Sequence, residues 1–207
     1  MGASRFLYRN RAICSVVAVT ALFSTPTALA EVRIVAVGDS SIRGVGVPAN
    51  QTYPAQLEAA LRARGYEVTV TNQGMNSDTA TWVLQRLDSA VPPGTNIVIL
   101  KIGEHERKVN HASLDTVIAN KRTIRERLSA KGVEVYTLVN MEQGMTSRGD
   151  LLVESYCSPL IACHLNEAGL AIVVRRTPPA IEALIRKVEK QGAWRPQCWH
   201  QTFPPRH

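Results

Sequence analysis

Two residues far apart in the chain have the side chains of a nucleophile and its base. Ser40 ends the run Val-Gly-Asp-Ser, and His164 stands in Cys-His-Leu-Asn. A serine hydroxyl is a poor nucleophile until a neighbouring imidazole accepts its proton. A serine in such a turn is more often a helix cap, and a lone histidine is more often a polar contact at the end of a loop. Each residue is therefore a weak signal alone, and the fold has to bring the two together.

Short runs rich in β-branched residues predict the strands. They lie at residues 32–37, 67–71, 97–102 and 133–139. The run at 97–102 is almost wholly apolar, as expected of a strand that is buried on both faces. Residues 151–153 are a candidate for a short fifth strand at the sheet edge.

Helix-like segments alternate with these strands. Apolar residues at helical spacing predict helices at 53–64, 114–130 and 166–190, the last interrupted by Pro178 and Pro179. Another helix, capped by Asp78 or Thr79, ends before Pro92. The alternation predicts an α/β fold in one domain, residues 31–191, with helices on both faces of a parallel sheet.

The carboxyl ends of parallel strands are where ligands bind in open α/β sheets. Four loops qualify: residues 38–41, 74–79, 103–106 and 163–166. Ser40 lies in the first of them and His164 in the last. The topology therefore favours one site that contains both residues.

The sequence resembles the SGNH, or GDSL-type, ester hydrolases over nearly all of residues 31–191. Residues 35–40, Val-Ala-Val-Gly-Asp-Ser, match the first block of that family, and residues 164–172, His-Leu-Asn-Glu-Ala-Gly-Leu-Ala-Ile, are close to its last block. The resemblance implies a flavodoxin-like three-layer α/β/α sandwich with a parallel sheet of four or five strands. It further implies that Ser40 is the nucleophile and His164 the base, acting on a small-molecule ester or acyl substrate without a metal or cofactor.

The resemblance also implies an oxyanion hole, which two positions of this chain change. The family uses the backbone N–H of the serine, here Ser40, a glycine N–H from the second block and an asparagine side chain from the third. The glycine position falls on Ser77, or on Gly74 if the loop shifts register, and the asparagine position falls on His105. Serine keeps the N–H but is less suited than glycine to a positive φ. Histidine can donate a hydrogen bond, although it is bulkier than asparagine and titrates.

The acid of the family's triad has no counterpart. It should stand three residues before His164, where this chain has Ile161. Loss of the acid lowers the rate of a serine triad by about 10⁴-fold. Three alternatives stay open. A backbone carbonyl holds the imidazole in a Ser-His dyad, Glu154 or Glu106 supplies a substitute carboxylate, or the protein is a non-catalytic binding protein of the cell envelope.

Residues 1–30 have the pattern of a secretory signal peptide. Three arginines and no acids precede the apolar run at residues 13–23, and an Ala-x-Ala sequence ends at Ala30. The run is shorter than the roughly 20 apolar residues of a spanning helix, and no later stretch could span a membrane. We expect cleavage near Ala30 and a secreted or periplasmic protein without stable membrane insertion.

The net charge of +7 falls to +4 on 177 residues when the signal segment is removed. The remaining charge lies on solvated helix faces and in a C-terminal tail, residues 192–207, so no nucleic-acid partner is expected. Of the four cysteines, Cys157, Cys163 and Cys198 remain after cleavage, which permits one disulfide of undetermined pairing. The cysteines and histidines do not have the spacing of a zinc site.

Overall fold

A four-stranded parallel sheet lies at the centre of the protein. The computed structural model describes residues 31–102, 106, 111–139, 141, 149–153 and 164–193. The sheet has the spatial order β2-β1-β3-β4, with every neighbouring pair parallel. Its strands are β1 (Val32–Gly38), β2 (Val68–Gly74), β3 (Ile97–Lys101) and β4 (Glu134–Thr137). The predicted α/β fold with a parallel sheet is confirmed.

Helices connect the strands, and most begin at a side-chain cap. They are α1 (Ser40–Arg43), α2 (Tyr53–Arg62), α3 (Ala80–Gln85), α4 (Leu87–Ala90), α5 (Leu114–Ala130), α6 (Glu167–Arg176) and α7 (Pro178–Ala193). Of the two residues predicted to cap α3, Thr79 does so, because its hydroxyl accepts a hydrogen bond from the Trp82 N–H at 3.1 Å. The predicted interruption at Pro178 is confirmed, since α6 ends at Arg176 and α7 starts at Pro178.

The central strands are apolar on both faces because helices cover both. Ile34 and Ile99 pack in one cluster with side chains of α1, α2, α6 and α7. Val35 and Val98, one residue along each strand, pack in a second cluster with side chains of α3, α4 and α5. Successive residues of a strand point to opposite faces, so a strand between two helix layers is apolar throughout. The result is the expected three-layer sandwich.

The candidate fifth strand does not join this sheet. Leu152–Val153 forms β5, which pairs antiparallel with β6, His164–Leu165, in a separate two-stranded ribbon. The prediction that it lies at the sheet edge is therefore wrong. A two-residue strand shows no periodicity from which its partner could be deduced. This ribbon carries His164.

Side chains of α2 contact the backbone of β2, one of the two outer strands of the sheet. The Val70 N–H donates to Glu58 Oε2 at 2.7 Å, and the Val68 carbonyl accepts from Arg62 Nε at 2.8 Å. Glu58 and Arg62 also form a salt bridge of 3.3 Å, one helical turn apart. The side chains of α2 therefore occupy backbone groups that an edge strand usually leaves to solvent.

Several predictions fall outside the described residues. These are the signal segment 1–30, the three remaining cysteines Cys157, Cys163 and Cys198, and residues 194–207 of the tail. Within the described ranges, no helix combines the length and the apolar character that crossing a membrane requires.

Candidate active site

The structure brings Ser40 and His164 into contact. Ser40 is the first residue of α1, directly after β1 and the turn residue Asp39, and His164 begins β6. Ser40 Oγ and His164 Nε2 are 2.7 Å apart, and both residues are half-buried. This is the distance at which a hydroxyl donates to an unprotonated imidazole nitrogen.

Two glycines allow α1 to lie against the ends of the strands. A Cβ on Gly38 would lie 2.4 Å from the Lys101 carbonyl oxygen, and a Cβ on Gly74 would lie 2.2 Å from the Arg43 N. The two glycines are register partners in β1 and β2, and the Met75 N–H donates to the Gly38 carbonyl at 2.9 Å. The position of Ser40 therefore depends on glycine at both strand ends.

His164 is held by the β5–β6 ribbon and by the start of α6. It is the register partner of Val153. Two residues later, the Asn166 N–H donates to the Leu151 carbonyl at 2.9 Å and its side-chain Nδ2 donates to the Asp150 carbonyl at 2.8 Å. Asn166 Oδ1 also accepts from Gly169 N and caps α6. These contacts fix the backbone on the carboxyl side of His164.

The loop after β2 places Ser77 in the conformation expected for the missing glycine. Ser77 has φ of +59°, in the left-handed region that non-glycine residues rarely adopt. This agrees with the register that puts the glycine position on Ser77, whereas Gly74 lies within β2 and is used for close packing.

A buried carboxylate follows Ser77 and braces the loop. Asp78 is 1% exposed and pairs with Arg86, whose Nε lies 3.1 Å from Asp78 Oδ2. Arg86 also donates to the Gln73 carbonyl at 2.9 Å, so it joins both ends of the loop. Burial raises the pKa of Asp78, and the hydrogen bond and charge of Arg86 oppose that rise.

We expect Ser77→Gly to raise the free energy of unfolding by about 0.5–1 kcal/mol, because glycine relieves most of the penalty that a Cβ carries at positive φ. Glycine also makes the unfolded chain more flexible, which keeps the gain below the full penalty. Chemical denaturation of both forms measures the difference. A loss of stability in the variant would contradict the strained backbone at this position.

Glu106, one candidate for the substitute acid, is used at the start of α3. It is 3% exposed, and its carboxylate accepts hydrogen bonds from Ala80 N at 3.0 Å and from Thr81 Oγ1 at 2.8 Å. Asn120 of α5 donates to the same Thr81 hydroxyl at 2.9 Å. This network accounts for the burial of Glu106 without any role toward His164. The other predicted positions, His105, Glu154 and Ile161, lie outside the described residues.

Lys101 is a residue of the site that the sequence did not reveal. It ends the apolar strand β3 but is buried, and its ammonium Nζ lies 3.1 Å from Asp39 Oδ2 and 3.1 Å from Ser41 Oγ. A lysine at the carboxyl end of an otherwise apolar strand is the signal that could have identified it. Both contacts are with residues adjacent to Ser40.

The Ser40–His164 pair opens into a small cleft. The described residues that line it are Ser40, Ser41, Gly44, Val45, Met141, His164, Leu165 and Leu170. Its walls are mostly apolar apart from the serines and the imidazole. Among the described residues, no three His, Cys, Asp or Glu side chains are grouped so as to hold a metal ion.

Known proteins are similar to this chain in fold. No protein-family model matches the chain, and no curated protein sequence matches it. Among solved structures, the psychrotrophic esterase EstA from Pseudoalteromonas sp., inhibited by monoethylphosphonate, has a TM-score of 0.63 at 11% identity over 74% of this chain and 98% of EstA. TesA has a TM-score of 0.60 at 18% identity over 73% of this chain and 99% of TesA.

A third structure gives the same result. A member of the lipolytic protein G-D-S-L family from Veillonella parvula has a TM-score of 0.55 at 15% identity, covering 75% of this chain and 99% of its own. These identities are low, and what the chain shares with the three proteins is the fold. The fold that the resemblance implied, that of the SGNH and GDSL-type hydrolases, is confirmed, and the chain is a divergent example of it.

Proposed function

We propose that the protein is an exported serine hydrolase that cleaves ester or acyl groups, with Ser40 as nucleophile and His164 as general base. The observation that carries this proposal is the 2.7 Å contact between Ser40 Oγ and His164 Nε2 at the carboxyl edge of the sheet. A helix cap or a structural histidine needs no such contact, whereas acyl transfer to serine requires it.

The reaction proceeds by acyl transfer in two halves. His164 Nε2 accepts the proton of Ser40 as Oγ attacks the carbonyl carbon, and then gives that proton to the departing alcohol. Water, deprotonated by the same nitrogen, hydrolyses the acyl-serine and regenerates the hydroxyl. The overall reaction therefore converts one ester and one water molecule into one carboxylic acid and one alcohol.

The oxyanion of each tetrahedral intermediate needs donors that are already in place. We assign this role to the backbone N–H groups of Ser40 and Ser77, with His105 replacing the asparagine side chain of the related hydrolases. One such donor typically stabilises the transition state by about 2.7–4 kcal/mol. The left-handed backbone of Ser77 supports its part in this assignment.

Glu154 is the carboxylate that we assign as the partner of His164. It comes directly after β5, whose last residue, Val153, is the register partner of His164, so Glu154 is one residue along the chain from a neighbour of His164. Glu106, by contrast, already accepts hydrogen bonds from two residues of α3. A carboxylate beside the distal imidazole nitrogen would orient the ring and stabilise its charged form, as the triad acid does.

We propose export because residues 1–30 have the basic start, the apolar run and the Ala-x-Ala end that are typical of a secretory signal. We place the mature protein in the periplasm or outside the cell, where it meets small-molecule esters. N-terminal sequencing of the exported protein checks cleavage near Ala30.

Labelling with a fluorophosphonate tests the hydrolase assignment. We expect the folded protein to be phosphonylated at Ser40, as located by mass spectrometry, and Ser40→Ala to be unlabelled. A related fold, that of EstA, has been solved in a form inhibited by a phosphonate. The Glu154→Gln variant should label at least about tenfold more slowly, because the imidazolium loses its stabilising charge.

The alternative is a binding protein of the cell envelope on the same fold, which the isoleucine at position 161 favours. Absence of labelling at Ser40 in folded protein, together with no hydrolysis of short-chain p-nitrophenyl esters, would support the binding protein. An unchanged labelling rate in Glu154→Gln would leave the hydrolase in place but replace the triad with a Ser-His dyad.

A further inference from the structure

We propose that Lys101 is a positioning residue for Ser40. Its ammonium group holds the residues on both sides of the serine and so keeps the hydroxyl aligned with His164. This inference rests on the proposed role of Ser40 as nucleophile. It concerns a different residue, on a different strand, from those of the serine–histidine pair.

The contacts of Lys101 converge on the turn between β1 and α1. Its Nζ is 3.1 Å and 3.4 Å from the two carboxylate oxygens of Asp39 and 3.1 Å from Ser41 Oγ. Asp39 in turn accepts from the Ser41 N–H at 3.0 Å and caps α1. One cation thus connects both neighbours of Ser40 to the end of β3.

The ion pair between Lys101 and Asp39 is buried. The side chains of Lys101 and Asp39 are 9% and 7% exposed. An ion pair shielded from water interacts far more strongly than one on the surface, and it leaves an uncompensated buried charge if either partner is removed. The salt bridge of Lys187 with Glu134 carries less of this constraint, because the Lys187 side chain is 54% exposed.

Lys101 lies beside the strand that leads into Ser40, so its ion pair with Asp39 restrains the turn that carries Ser40. Lys101 is the register partner of Gly38, so its side chain rises from the strand next to the one that leads into Ser40. We assign Lys101 the role of holding this turn, through its contacts with Asp39 and Ser41. Ser40 is connected to the sheet on one side and to His164 on the other.

A double substitution tests the inference without leaving a buried charge. Asp39→Asn/Lys101→Met removes both charges, while asparagine keeps a side-chain oxygen for the cap of α1. Lys101→Met alone serves as the variant with an unpaired carboxylate, and Lys187→Met is the matched control for loss of an ion pair. Thermal unfolding identifies which variants are folded.

The folded double variant should be phosphonylated about 10- to 100-fold more slowly than the parent, as expected when a reacting group is displaced by a fraction of an ångström to 1 Å. With p-nitrophenyl acetate, the loss should fall on kcat, with KM changed less than about threefold, because the substrate contacts remain. Lys187→Met should match the parent. A folded double variant that is labelled at the parent's rate would overturn the inference and reduce the pair to a structural one.

A spectroscopic readout separates this inference from the proposed function. The ¹⁵N resonance of His164 Nε2 reports the hydrogen bond to Ser40 whether or not the protein hydrolyses esters, and Ser40→Ala gives its value without that bond. We expect the folded double variant to move toward the Ser40→Ala value. If it keeps the parent's value, Lys101 does not position Ser40. If the parent is inert to esters and phosphonates but the resonance moves, the proposed function fails, and the effect of Lys101 on the hydrogen bond between Ser40 and His164 is still supported.

Discussion

His164→Ala should slow the phosphonylation of Ser40 and the hydrolysis of p-nitrophenyl esters by about 10²–10⁴-fold, the range that a positioned general base supplies. His164 Nε2 lies 2.7 Å from Ser40 Oγ. Without the imidazole, only water can accept the proton of the Ser40 hydroxyl. Single-turnover labelling measures the effect on the nucleophile directly, and steady-state kinetics measures the effect on the complete cycle.

His111→Asn is the matched control for this variant. His111 is exposed and has φ of +53°, a conformation that asparagine tolerates better than most residues. We expect it to retain the parent's rates. Equal labelling of His164→Ala and the parent, with both proteins folded, would contradict the assignment of His164 as the base.

Gly74→Ala should lower the free energy of unfolding by at least about 3 kcal/mol, beyond the usual range for adding a methyl group to a packed site. The added Cβ would lie 2.2 Å from the Arg43 N and 2.7 Å from the Arg43 Cα and the Ile42 carbonyl carbon. These are backbone atoms, so no side-chain rotation can relieve the overlap. Chemical denaturation measures the loss, and the phosphonylation rate reports whether α1 has moved.

Gly192→Ala is the control for Gly74→Ala, because a Cβ added at Gly192 would have no described atom within 4 Å. Gly192 lies near the end of α7. Alanine favours the helix over glycine, so a small gain in stability or no change is expected. If Gly74→Ala unfolds at the same denaturant concentration as the parent, the close packing of α1 on β2 is wrong.

The layered fold could be predicted because its strands and helices carry strong local patterns. The run at 97–102 has no polar residue except Lys101, and the structure buries β3 completely. The break at Pro178 follows from the missing N–H of proline and its clash with the preceding turn. Such features act within a few residues of each other, so the sequence alone contains them.

The short ribbon and the buried polar contacts could not be predicted, because they join residues distant in the chain. β5 consists of two residues whose partner, β6, follows after 10 intervening residues. Glu106 caps a helix that starts 26 residues earlier in the chain, and Lys101 reaches Asp39 across 62 residues. No local pattern specifies such pairs.

The contact between Ser40 and His164 is an intermediate case. The alternation of strands and helices placed both residues at one edge of the sheet, and the resemblance implied that they act together. Ser77, one of the two positions onto which the resemblance maps a glycine, has the left-handed backbone that favours glycine. The sequence thus predicted which edge of the sheet brings Ser40 and His164 together, whereas it did not reveal the contacts of Lys101 with Asp39 and Ser41.

The covering of β2 by α2 has a consequence for how copies of this protein meet. A second chain that docked a strand onto this edge would have to displace the Glu58 carboxylate from Val70 N and the Arg62 guanidinium from the Val68 carbonyl. Two charge-assisted hydrogen bonds would then be exchanged for two ordinary backbone hydrogen bonds. The fold therefore resists the addition of a strand from another chain along this edge.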